Sequence, residues 1–362
     1  MDVHGDDAGA ITFAQLIAPF DADTFFSAVQ GRKWLHVPGT PEKAAPIFSS
    51  DDLNAILNMD VWTASVVAIM LDGQRAPPPA YCRQTVNRNK HSVMQPDAEK
   101  VMALLRQGAS MVLDDITSLA PAVGQVVEML MRTFHAQATC NLYFSQRQRQ
   151  AFNSHFDRHD VFALQIYGEK RWRVYRGRAD NPIENPRYYN ILQSEYDRVK
   201  GELDQEVTMR PGDLLYLPRG LCHDAMAITD QSLHLTFSCV LPMGLHLAQD
   251  MARRLIEESL FRADLPRLDA EDGDQTLRKH LETLLARLME LYSGEHGLEL
   301  ARSIIRDFSG AAAASFDLSK PKSRQAQPRG ATRLGARRAG RSGAKSGRSR
   351  QIAVLGHHFL VS

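Results

Sequence analysis

The stretch from Cys140 to Val240 constrains this chain most. Its apolar residues come in short runs, Asn141-Leu-Tyr-Phe, Asp160-Val-Phe-Ala-Leu-Gln, Lys170-Arg-Trp-Arg-Val-Tyr, Asp213-Leu-Leu-Tyr-Leu and Ser232-Leu-His-Leu-Thr-Phe-Ser-Cys-Val, separated by Gly, Pro, Asn and Asp. Runs this short, bounded by turn formers, read as strands rather than helices. An all-β centre follows, with helical additions on both sides. Upstream, residues 21–30, 51–58, 96–107 and 121–135 read as helices, the first two opening on Asp21 and Asp51. Lys33-Trp-Leu-His-Val is a strand candidate, and Pro77, Pro78 and Pro79 mark a loop. Downstream, Leu255, Leu260, Leu277, Leu281, Leu284, Leu285 and Leu288 recur at helical spacings among Glu and Arg, so two or three helices follow, broken near Pro266 and Gly273. The expected class is α+β: mixed elements over 1–135, a β core over 136–242, a helical region over 243–310 and a tail over 311–362.

Charge is unevenly placed. The 43 Lys and Arg nearly balance 42 Asp and Glu, yet eleven of the basic residues lie between Lys320 and Arg350, where there is no acid. The rest therefore carries 32 basic against 42 acidic residues, a negative body that attracts a basic partner. The 320–350 segment has too few apolar residues to offset the entropy of ordering and is expected to be disordered, with RNA phosphates as its possible contact. The apolar last twelve residues have no physical reading. Cys82, Cys140, Cys222 and Cys239 show no paired spacing, which suits reduced thiols of a cytoplasmic protein. No apolar run reaches membrane-spanning length, and the acidic start, Met1-Asp-Val-His-Gly-Asp-Asp, lacks a secretory pattern, so no membrane partner is expected.

Chemistry concentrates in three places. His155-Phe-Asp157 is a His-x-Asp pair beside a β run; on a strand, i and i+2 share a face, so both side chains can grip one ion. Two other His-x-acid pairs exist, but His4/Asp6 is terminal and His280/Glu282 falls on a helix, where i and i+2 diverge. The second place is Arg210-Pro-Gly-Asp-Leu-Leu-Tyr-Leu-Pro-Arg-Gly-Leu-Cys-His223, in which one Pro-Gly turn launches a strand, another turn ends it, and His223 follows at the strand mouth. Two His and one carboxylate form a facial triad for a non-haem Fe(II); His223 taken alone reads more readily as a hydrogen-bonded structural residue, the odds reversing only together with Lys170, and His159 is a rival ligand. The third is Lys170. Alternation puts it on the apolar face with Trp172 and Val174, where an ammonium needs an anion unless it snorkels to solvent. Cys222 reads as a small apolar filler and His36 as structural.

Together with Asp160-Val-Phe-Ala-Leu-Gln165, Gly168-Glu-Lys170-Arg-Trp172, Gly31-Arg-Lys-Trp-Leu-His-Val-Pro-Gly and Asn141-Leu-Tyr143, these motifs resemble the Jumonji-C branch of the cupin superfamily, above all its ribosomal oxygenases. The resemblance spans roughly residues 25–240. It implies a double-stranded β-helix (cupin, or jelly-roll) that holds Fe(II) through His155, Asp157 and His223, with 2-oxoglutarate and O2 as cosubstrates. It implies that Lys170 pairs with the distal carboxylate of 2-oxoglutarate, that Asn141 and Tyr143 line the pocket, and that Tyr143 and Ser238 meet the substrate. The implied reaction hydroxylates an Arg or His side chain of a basic, ribosomal protein, releasing succinate and CO2; the helices after Val240 imply a homodimer. Two alternatives stay open: a non-catalytic metal-binding cupin module, and the same chemistry on a small molecule or a methyl-lysine.

Overall fold

A computed structural model describes residues 11–310, apart from 60, 72, 87–89, 147–152, 186–190 and 270. The basic tail and its RNA reading lie outside the described residues. The strands are Leu35–Val37 (β1), Val67–Leu71 (β2), Gln74–Arg75 (β3), Cys82–Val86 (β4), Ser92–Pro96 (β5), Ser110–Leu113 (β6) and Gln137–Gln146 (β7). They continue with Asp160–Tyr167 (β8), Lys170–Arg178 (β9), Leu203–Met209 (β10), Leu214–Leu217 (β11), Leu221–Ala227 (β12) and Gln231–Val240 (β13).

Two antiparallel sheets form the centre. The large one has the order β1-β11-β8-β13-β7-β6-β2-β3, the small one β10-β9-β12; β4 and β5 make a separate hairpin. Alternation along the large sheet explains the architecture. On β8, Phe162 and Leu164 join a cluster with Phe13, Phe25 and Phe134, which come from helices. The intervening Val161 and Ala163 instead pack on Trp172 and Val174 of β9 and Val207 and Met209 of β10. One face of the large sheet is thus covered by helices and the other by the small sheet, the double-stranded β-helix expected for this class. A strand covered on both faces reads as a continuous apolar run, which is why 160–165 is buried throughout.

The helical cover is locally encoded. Pro121–Phe134 starts with Pro at its first position, buries Val123, Val126, Val127, Leu130 and Phe134 along one stripe, and stops at His135, which takes a left-handed φ of 48°. Asp21 caps Ala22–Thr24 as expected, and the helix runs on as one π turn over Phe25–Val29. The next start differs from expectation: Ser49, not Asp51, caps Ser50–Leu57. The Ser49 hydroxyl accepts the Asp52 N–H (3.2 Å) and the Asp52 carboxylate accepts the Ser49 N–H (2.8 Å), a reciprocal box that Asp51 cannot make. The N-terminal part also supplies β1, β2, β3 and β6 to the large sheet. After β13 the chain is helical, chiefly Gly244–Arg254, Gly273–Tyr292 and Gly294–Phe308. No described helix is long and apolar enough to cross a membrane. All four cysteines are buried free thiols, and Cys222 fills a cluster with Phe156, Tyr175 and Tyr196.

The two turns that flank β11 need their glycines. Gly212 has φ 93°, and a Cβ there would run into the Thr40 carbonyl; Gly220 has φ 85°. Gly212→Ala should therefore destabilise the fold by about 2 kcal/mol or more, strain and clash combined. Gly294→Ala, at φ 64° with open space around it, should cost about 1 kcal/mol. Thermal unfolding of the two variants gives the comparison; equal midpoints would contradict it.

Candidate metal centre and its pocket

The site begins with backbone pairing. His155 and His223 form an isolated antiparallel bridge, N–H to carbonyl in both directions at 3.0 and 2.8 Å. The Gly220 N–H donates to the Asp157 carbonyl (2.9 Å), so the turn before β12 holds the His155–Asp157 segment in place. The imidazoles consequently lie side by side, ring centroids 4.6 Å apart, and His223 Nε2 is 3.4 Å from Asp157 Oδ2. One ligand atom from each of His155, Asp157 and His223 falls within 4.8 Å of the others. His159 is not a member of this group. Phe156, between the two ligands, points the other way into the cluster with Tyr196, which anchors the segment.

Ring orientation suits ligation. His155 Nδ1 is 2.8 Å from the Asn153 carbonyl and His223 Nδ1 is 3.0 Å from the Leu221 carbonyl. A carbonyl only accepts, so each Nδ1 carries the proton and each Nε2 offers its lone pair to the centre. Burial, with His155 adding to it, pushes His223 down to about 4, so that ring is neutral at neutral pH. Burial raises Asp157, but His223 and His155 outweigh it and hold the carboxyl below its ordinary value. Two imidazoles and one carboxylate are the donor set a non-haem Fe(II) takes, with positions left for exchangeable ligands. The donor set present fits that ion.

The flanks are tied as well. Asp224, next to His223, accepts from Tyr175 (2.6 Å) and from Ser154 (2.8 Å), the neighbour of His155; Lys200 donates to Ser154 (2.9 Å). Three buried residues, Asp224, Tyr175 and Ser154, thereby tie together the segments that carry the ligands.

Lys170 lies on the inter-sheet face with 4% of its surface exposed. Its Nζ reaches Ser145 Oγ and His234 Nδ1, both at 3.3 Å, and stands 5.9 and 6.0 Å from the rings of Tyr143 and Trp172. Trp172 in turn lies 5.7 Å from the His223 ring. No ion pair to Lys170 exists among the described residues, and burial drags its ammonium down to about 7. Tyr143 stacks on His234 at 4.8 Å, and burial, then Asp157 and Asp114, keep its hydroxyl protonated. Asn141 Oδ1 accepts the Asp115 N–H (2.9 Å), fastening the turn after β6 to β7. Ser238 shares the face of His234 and Thr236 on β13, opposite Thr139 and Val161. His36, read as structural, meets Asp213 at 3.1 Å. Ser145, His234 and Trp172 were not singled out from the sequence as ligands of the pocket; alternation from Tyr143 and Lys170 was the available signal.

Residues 118–247 match the family model described as a JmjC domain. This segment is a JmjC domain. The chain is 30% identical over 237 residues to the bifunctional lysine-specific demethylase and histidyl-hydroxylase NO66 of Drosophila persimilis, covering 64% of this chain and 32% of that protein. It is 29% identical over 272 residues to human ribosomal oxygenase 1, covering 70% and 39%. The chain thus spans about a third to a half of the length of such curated relatives. Among solved structures, the Escherichia coli ribosomal oxygenase YcfD aligns over 79% of this chain and 71% of its own, with a TM-score of 0.46 and 14% identity.

If the JmjC segment binds metal through the clustered atoms, Mn(II) binding followed by electron paramagnetic resonance should be lost in His155→Ala and in His223→Ala and kept in His159→Ala. Binding by His155→Ala at the wild-type level would remove the cluster from consideration.

Proposed function

We propose that this chain is a 2-oxoglutarate- and Fe(II)-dependent oxygenase that hydroxylates a side chain of a basic protein, ribosomal protein being the expected class. One observation carries the reading: a buried lysine with no ionic partner among the described residues shares the inter-sheet cleft with the His155, Asp157 and His223 donors. A buried ammonium without a counter-ion is costly and is retained where an anionic ligand completes it.

The roles follow from position. His155, Asp157 and His223 would hold the iron, which with 2-oxoglutarate and O2 supplies the oxidising chemistry, yielding succinate and CO2. Lys170 would pair with the distal carboxylate, with Ser145 and His234 fixing its rotamer. Tyr143, stacked on His234, would form a wall of the cleft, and Asn141 would hold the β6 turn beside it. Tyr143 and Ser238 would face the substrate. The acid excess outside residues 320–350 supports a basic partner, and that segment, eleven Lys and Arg without an acid, supports salt-sensitive contact with RNA. Cytoplasmic action as a homodimer belongs to the same reading; Leu281, Leu285 and Met289 form an exposed apolar stripe on Gly273–Tyr292 that a second copy would cover.

The test is succinate formation from 2-oxoglutarate with Fe(II), then mass spectrometry of ribosomal proteins for one added oxygen. Lys170→Ala should weaken 2-oxoglutarate binding at least about tenfold, below the roughly 10²–10³ that a fully buried ion pair would cost because solvent reaches part of the contact. The pH dependence has a definite sign. With no anion bound Lys170 titrates near 7, and a bound carboxylate raises it. Binding at pH 8 should therefore take up a proton, and affinity should fall as pH climbs from 7 to 9. Calorimetry in buffers of different ionisation enthalpy reads this directly; proton release, or binding indifferent to pH over that range, would remove Lys170 from the contact.

A further inference from the structure

Buried polar atoms lacking a hydrogen-bond partner recur on the face that carries the metal cluster. Ser110 Oγ and Asp114 Oδ1 on the β6 side, Gln165 Oε1 on β8 and Trp172 Nε1 on β9 are all in this state. Each costs free energy unless something else occupies the cleft. Ser110, Gln165 and Trp172 are neutral. Asp114 is not, and the oxygenase roles above do not use it.

We infer that Asp114 is the anchor for a permanently cationic side chain of the protein substrate, a guanidinium or an ammonium. This inference rests on the oxygenase reading and specifies its substrate. Asp114 follows β6 directly, and its N–H donates to the Val66 carbonyl (2.9 Å). Ser110, Val112 and Asp114 alternate onto one side of that strand, and Val112 sits opposite Tyr143. The next residue, Asp115, is bonded through its N–H to Asn141. Asp114 therefore stands beside Asn141 and Tyr143. The Tyr143 hydroxyl feels the charge of both Asp157 and Asp114, so the metal-binding carboxylate and this second one both lie near the tyrosine.

Asp114 has a cation in its field but none in contact. No ion pair to it exists among the described residues. The Arg75 charge acts on Asp114 without an ion pair between them, and the Arg75 guanidinium donates to the Ala64 carbonyl (3.2 Å). Asp115 adds a further negative charge on the same turn. Burial then pushes the Asp114 carboxyl up to about 6, a cost that an incoming cation would reverse. A neutral imidazole supplies no such charge, whereas guanidinium and ammonium groups always do; the guanidinium also offers two parallel donors. The acidic body would raise the encounter rate for any basic protein, and Asp114 would decide which residue enters.

The experiment uses the full chain with Mn(II) and 2-oxoglutarate, and fluorescence anisotropy of labelled short peptides that alternate Gly with Arg, Lys, citrulline or His. The Arg or Lys peptide should bind Asp114→Asn at least about tenfold more weakly than wild type, the scale of one charge-assisted contact. The citrulline and His peptides at pH 8 should bind wild type no better than the variant binds Arg, and the exposed control Asp23→Asn should match wild type. The ratio of Arg to Lys affinity identifies which cation fits. Because a neutral isostere replaces a half-buried carboxylate whose Oδ1 has no partner, Asp114→Asn should melt at or above the wild-type temperature. Equal Arg-peptide affinity in wild type and Asp114→Asn would overturn the inference and leave general charge attraction. A marked drop in melting temperature would assign Asp114 a structural role and overturn it too. Wild-type succinate production is scored separately: its absence alongside intact discrimination of Arg from citrulline would sink the oxygenase reading and not the anchor.

Discussion

Covering the large sheet on both faces is the constraint on which the remaining structure depends. Its central strands, β8, β13 and β7, have no solvent side: one face belongs to helices led by Phe13, Phe25 and Phe134, and the other to β9, β10 and β12. A sheet enclosed in this way normally carries apolar residues at every position. Wherever a polar side chain stands on the inner face it must find a partner or host a ligand, since an unmet buried group costs about 1–3 kcal/mol. His234, Thr236, Ser238, Ser145 and Lys170 all stand there, buried. Their concentration on one face sets the cleft apart from the helix-side face, which is aromatic and aliphatic.

The donor cluster is held by the backbone rather than by loose side chains. A bridge of two hydrogen bonds aligns His155 with His223, and carbonyls of Asn153 and Leu221 set the ring orientation. On the opposite side of the same two segments, Asp224, Tyr175 and Ser154 form a buried clamp. Each segment is therefore gripped from behind by residues adjacent to its ligands. Sites whose supports are themselves packed keep their geometry within fractions of an ångström, which is what an open coordination sphere demands.

How much of this the sequence disclosed depends on the range of the interactions. The β centre, the flanking turns of β11 and the His155-x-Asp157 pair rest on local patterns: alternation, Pro-Gly chemistry and i, i+2 geometry. Lys170 was legible for the same reason, since alternation alone places it with Trp172 and Val174. Other features needed distant pairing. Val67–Leu71 and Ser110–Leu113 are short apolar runs whose membership in the large sheet follows only from register with each other and with β7. The contacts of Lys170 with Ser145 and His234 join β9 to β7 and β13 across the cleft, a relation no window of sequence contains. Asp114 sits in a turn, where an acidic residue is ordinary; its environment, not its type, distinguishes it. Ser49 prevailed over Asp51 as a cap because the cap position is decided by which residue can exchange hydrogen bonds with the residue three further on, and Asp52 completes that exchange.

Lys170 and Asp114 put opposite charges at two positions along the proposed cleft. Lys170 meets β7 at Ser145, while Asp114 stands by Asn141, four positions along the same strand. At ~3.3 Å per residue the two charges are about 13 Å apart along the strand. In water, charges at that distance scarcely interact, but in a dry cleft of low effective dielectric their fields persist. A dianion entering the cleft is drawn to the Lys170 end and repelled by Asp114; a basic side chain experiences the reverse. The Asp157 carboxylate, grouped with the two histidines, also bears on the Tyr143 hydroxyl. Under the roles proposed above, cosubstrate and substrate would meet different positions along β7. Exchanging the charges, or neutralising either, would remove that order while leaving the fold intact, because neither residue contributes an apolar contact on which the two sheets depend.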